Sequence, residues 1–147
     1  MKYQFYYYLT FILGIVAWLF PSIPTMVYPK CHKLLNEVKY YFIAVLFAVI
    51  LFLANSYLEY KSDLGDSKEK ILSYFTFISP LVFLILYKLF DTFILKIYKR
   101  HIYFRTRGGS DIESGKATWF EFMLQIILGT SLLLCFLLGK IFLKFFF

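Results

Sequence analysis

The sequence predicts an all-α integral membrane protein, a bundle of four transmembrane helices. Two observations carry that expectation. Of 147 residues, 61% are hydrophobic and 19 are Phe, with a mean hydropathy of +0.69, which leaves too little polar surface to cover a water-soluble globule. The 16 basic and 9 acidic residues are also spaced so that four charge-free runs of about bilayer length remain: Tyr3 to Pro29 (27 residues), Tyr40 to Leu58 (19), Ile71 to Tyr87 (17) and Phe122 to Gly139 (18). The runs are continuously apolar and lack the alternation of barrel strands, so helices are the elements that can satisfy every backbone group in hydrocarbon.

The first helix is expected over residues 4–20. Lys2 ahead of an apolar core resembles a secretory signal, but Ala17-Trp18-Leu19-Phe20 offers no small-x-small cleavage site, so the segment reads as a retained helix. Pro21 and Pro24 predict that it stops at Phe20, which makes it short, about 24 Å at 1.5 Å per residue. Residues 22–29 then read as an extended or re-entrant connector, and Cys31 to Lys39 as an interfacial stretch. The second helix spans residues 40–59, with Ala44 and Ala48 one turn apart, and a solvated loop over 60–70 follows.

The third helix covers residues 71–100. Ser79-Pro80 bends it in mid-span, and from Lys88 onward it becomes an amphipathic extension, with Lys88, Asp91, Thr92, Lys96 and Lys99 on one side and Phe90, Phe93, Ile94 and Ile97 on the other. A polar loop over 101–117 carries the turn signal Gly108-Gly109-Ser110-Asp111. Thr118-Trp119-Phe120-Glu121 fits a capping box and opens the fourth helix, residues 119–143. Its Ser131, Cys135 and Gly139, spaced i, i+4 and i+8, form a small-residue stripe that lets another helix approach closely. Lys140 and Lys144 among phenylalanines suit a snorkelling end. The whole chain, 1–147, reads as one membrane domain.

Basic residues orient the bundle. The first and third loops share a side and hold Lys30, Lys33, Lys39, Lys96, Lys99, Arg100, Arg105, Arg107 and Lys116, against Lys2, Lys61, Lys68, Lys70, Lys140 and Lys144 opposite. This predicts a multi-pass protein of the cell membrane with both termini on the non-cytoplasmic side. The net charge of +7 is accounted for by anionic lipid heads around the helix ends, and nucleic acid is not a required partner.

Chemistry-bearing constellations are sparse. Ser114-Gly115-Lys116-Ala117-Thr118 after Gly109 is similar to a phosphate-binding P-loop, but the glycine spacing is one too long, Ala117 stands where Ser or Thr is needed, and no strand precedes it. Arg105 and Arg107 beside Gly108, Gly109 and Ser110 form a better anion site, able to hold a lipid phosphate or a partner's carboxylate, or a basic loop that merely sets topology. Lys88 and Asp91 are expected to pair at the membrane end, Glu121 to cap its helix, and Asn55 and Gln125 to bond between helices. Cys31-His32, His101 and Cys135 show no ligand spacing for zinc or haem, so neither metal nor cofactor is expected.

The expected function is therefore non-catalytic: helix or loop contacts with a membrane-protein partner or a second copy, as an accessory subunit would make them. In size and layout the chain is similar to small polytopic immunity proteins that protect a membrane from a pore-forming toxin, a likeness of architecture that carries over no residue. The alternatives are a small transporter or channel component, relying on Asn55, Ser79, Gln125, Thr130 and Ser131 at membrane depth, and a lipid-modifying membrane enzyme, which lacks a visible base and nucleophile.

Overall fold

The computed structural model describes residues 2–27, 32–62, 67–103 and 118–146. Among them are seven helices and no strand: α1 (Lys2–Val27), α2 (His32–Leu35), α3 (Val38–Ser62), α4 (Ser67–Phe77), α5 (Ser79–Tyr98), α6 (Trp119–Gly129) and α7 (Ser131–Phe146).

The expected bundle of four transmembrane helices is overturned. Two described helices are long and apolar enough to cross a membrane, over Phe5–Ile23 and Val38–Tyr60. A third crossing is reached if α6 and α7, bent by 54° at their junction, count as one broken span. The anticipated third helix fails on two physical grounds. It is split at Ile78 into α4 and α5, and every 18-residue stretch of α5 contains Lys88, Asp91 and Lys96.

The first helix is not terminated by proline either, because α1 runs through Pro21 and Pro24 to Val27. Each proline removes a backbone donor. Extra donors come from Ser22 Oγ, 3.0 Å from the Trp18 carbonyl and 3.1 Å from that of Leu19, and from Thr25 Oγ1, 2.7 Å from the Ser22 carbonyl. The carbonyls four residues before the prolines are those of Ala17 and Phe20, so these hydroxyls supplement the ladder beside the missing donors and do not replace them. At the α4–α5 break a hydroxyl does stand in for the lost donor: Pro80 cannot donate to the Thr76 carbonyl, and Ser79 Oγ donates to it instead at 2.7 Å. At Thr130 no proline is involved; its Oγ1 reaches the carbonyls of Ile126 and Ile127, both at 3.1 Å, where α6 gives way to α7.

Contacts set the layout. α1 packs on α3, α4 and α5, and α7 packs chiefly on α4. Tyr7 meets Ser73, Thr10 meets Asn55, and Phe75 meets Phe142 near one end. Tyr41 meets Leu84, Asn36 meets Asp91, and Thr25 meets Gln125 toward the other. The apolar core joins Trp18, Phe83, Leu84, Tyr87, Ile94, Leu124 and Leu128, with Trp18 and Phe83 edge to face at 6.2 Å. One face of α1, at Tyr7, Thr10, Trp18, Ser22 and Thr25, is buried yet polar, and each of these side chains is hydrogen-bonded.

Candidate functional site

The densest polar arrangement among the described residues lies where α5 ends. α5 stops at Tyr98 because Lys99 turns left-handed (φ 56°), a conformation costing a non-glycine residue about 1–2 kcal/mol. The four residues that follow are gripped by two buried carboxylates. Asp91, on the inner face of α5, accepts from the Ile102 backbone N–H at 2.9 Å and from Asn36 Nδ2 at 2.8 Å, and its oxygens lie 3.2 and 3.0 Å from His101 Nδ1. Glu121, in the first turn of α6, accepts from Arg100 Nη1 and Nη2 at 2.7 and 2.9 Å and from the Tyr103 N–H at 2.9 Å. It also closes the expected capping box: Thr118 N–H donates to it at 2.8 Å, while the Glu121 N–H donates to Thr118 Oγ1 at 3.2 Å.

Each carboxylate thus holds one side chain and one backbone N–H of residues 100–103, the inner pair His101 and Ile102 on Asp91 and the outer pair Arg100 and Tyr103 on Glu121. Between them the Ile102 side chain is pressed into the core. The bond to Glu121 raises the pKa of Arg100 above its ordinary value. Bidentate pairing of a guanidinium with a buried carboxylate is directional, so the clamp sets the angle at which the chain leaves α5. His101 keeps its side chain 42% exposed. Among the described residues no group of three His, Cys, Asp or Glu side chains is placed to hold a metal ion.

The expected Lys88–Asp91 pair does not form. Asp91 is turned inward onto His101, Asn36 and Ile102, whereas Lys88 is exposed and its Nζ lies 5.6 Å from the centroid of the Tyr41 ring. Ala44 is buried, facing an apolar cavity of about 500 Å³ between α1, α2, α3 and α5, and Ala48 is half-buried. Ser131, Cys135 and Gly139 are all buried on α7, turned to the protein's own interior, with Ser131 Oγ accepting the Trp18 indole N–H at 2.8 Å. Arg105, Arg107, Gly108, Gly109 and Ser110 lie outside the described residues. Gln125 Nε2 reaches the Thr25 carbonyl at 3.4 Å, and Asn55 Oδ1 accepts from Thr10 at 3.0 Å.

Sequence reasoning did not anticipate the Arg100–Glu121 pair or the roles of Asn36 and His101. The available signal was the presence of two acids, Asp91 and Glu121, amid apolar neighbours, since an isolated acid near a membrane boundary demands partners. No protein family, curated protein or solved structure matches this chain.

Proposed function

We propose that the chain is a multi-pass membrane protein that acts without catalysis, through helix or loop contacts with a membrane partner, in the manner of an accessory subunit or an immunity-like protein. The observation that carries this reading is the inverted distribution of polarity. Over Phe5–Ile23 of α1 and from Tyr40 to Tyr60 of α3 the outward side chains among the described residues are mostly large and apolar, including Phe20 (78% exposed), Phe42 (72%) and Leu53 (60%), while Thr10, Trp18, Thr25 and Asn55 point inward and are bonded. Such a surface suits lipid and exceeds what a water-soluble monomer exposes.

The non-catalytic part rests on the clamp, whose carboxylates are engaged in shaping a turn. Lys33, Lys39, Lys88, Lys96, Lys99 and Arg100 gather toward the end of the molecule that holds this turn, which is the end this reading puts on the cytoplasmic side. Purification of the tagged chain in nanodiscs, followed by identification of co-purifying proteins, tests the reading. A stoichiometric membrane protein is expected; a chain that enters discs alone and turns over lipid or solute would overturn it.

A further inference from the structure

We propose that the outer face of α5 is a binding site for a single anionic phospholipid, its phosphate held between Lys88 and Lys96 and one acyl chain laid along Ile85 and Leu89. The proposal rests on the membrane reading above and adds to it a ligand and a location.

Lys88, Thr92 and Lys96 recur every fourth residue and so share one exposed face, the two ammonium-bearing residues being about 12 Å apart along the helix axis. Lysine side chains are long enough to converge on one group at the level of Thr92. Beside them runs an open groove of about 390 Å³ lined by Ile85, Leu89 and Phe93 of α5 and by Tyr41 of α3. The combination of two cations with an apolar trough matches a ligand that is anionic at one end and hydrocarbon at the other.

Three further observations select a lipid. Among the described residues no carboxylate neutralises Lys88 or Lys96, because Asp91, one turn from Lys88, is engaged by His101, Asn36 and Ile102. Tyr41 stands near the start of the apolar span Val38–Tyr60, one residue after Tyr40, whose ring lies under Lys39, and tyrosines and lysines mark the headgroup region at this level. Finally, Ile85 of the trough lies one turn from Lys88 on the side away from the end of α5, while Leu89 and Phe93 run beside the lysines, so charge and apolar surface adjoin along the groove.

The test is native mass spectrometry of the protein released from nanodiscs of equal phosphatidylglycerol and phosphatidylcholine. The wild type is expected to retain one phosphatidylglycerol. Lys88→Gln/Lys96→Gln should lower that retention roughly 30-fold, at about 1 kcal/mol per lysine. Leu89→Trp, which fills the trough and leaves both charges, should also abolish it, whereas Lys140→Gln/Lys144→Gln at the other end should not. Equal retention of both lipids, or retention unchanged in the first double variant or in Leu89→Trp, would overturn the site. A chain that fails to enter the discs overturns the membrane reading; one that enters and shows no preference overturns the lipid site alone.

Discussion

The indole N–H of Trp18 donates to Ser131 Oγ at 2.8 Å, joining residues 113 positions apart in the chain. Both groups are buried, so the bond ties α1 to α7 inside the protein. Ser131→Ala is expected to lower stability by about 1 kcal/mol, between the small mean value for interhelical bonds in membranes and the larger penalty for a stranded buried donor. A cycle with Trp18→Phe, followed by unfolding in detergent, should return a coupling energy of similar size; independent effects would show that the bond contributes nothing.

Asp91→Asn and Glu121→Gln each replace an acceptor oxygen by an amide NH₂ that faces donors, Asn36 or Arg100, and each should cost about 1–3 kcal/mol. Amide hydrogen exchange separates them. Asp91→Asn should accelerate exchange first at Ile102, and Glu121→Gln first at Tyr103, since each carboxylate accepts one of those N–H groups. Arg100→Lys keeps the charge but loses the two-pronged geometry, and its effect should be smaller than that of Glu121→Gln.

Gly14 and Gly129 should respond oppositely to a side chain. A Cβ at Gly14 would lie 3.0 Å from Phe77 Cδ1 and 3.1 Å from Thr76 Cγ2, both on buried residues of α4, so Gly14→Val is expected to destabilise by about 1–3 kcal/mol. Nothing stands within 4 Å of a Cβ at Gly129, and Gly129→Ala should stabilise by about 0.5–1 kcal/mol through the reduced freedom of the unfolded helix. Thermal inactivation in one detergent compares the pair.

Val49 is exposed near the middle of the span Val38–Tyr60. Val49→Arg should oppose insertion by about 2.5–3.5 kcal/mol, while Tyr60→Arg at the end of the same helix should be tolerated because the side chain can snorkel. A glycosylation-site insertion assay reads both. Equal insertion of the two variants would argue that this helix does not face lipid.

Charge spacing alone located α3 and the body of α1, because a run free of charge is a property of the residues themselves. The end of α1 differs from the expectation for a reason that composition does not reveal: α1 continues through Pro21 and Pro24, packed on α3, α4 and α5, and whether neighbouring helices hold a proline-containing segment helical depends on the fold. The break at Thr130 was hidden inside an unbroken apolar run, with no proline to mark it. The capping box of α6 was legible, since Thr118 and Glu121 are neighbours in sequence. The clamp was not, because two of its bonds go to the backbone N–H groups of Ile102 and Tyr103 and others join residues far apart in sequence, Asn36 with Asp91 and Arg100 with Glu121. Small residues showed where helices approach, but Ser131, Cys135 and Gly139 proved to face the chain's own helices.

The central position of α1 bears on how the protein is made. This helix is synthesised before α6 and α7, yet Trp18, Phe11 and Thr25 find partners on Ser131, Phe136 and Gln125, which emerge about a hundred residues later. A nascent chain halted before α6 carries the Trp18 indole donor without its Ser131 acceptor. Formation of α6 and α7 is therefore also the step that hides this group, and chains cut before α6 should be degraded although the spans in α1 and α3 are intact.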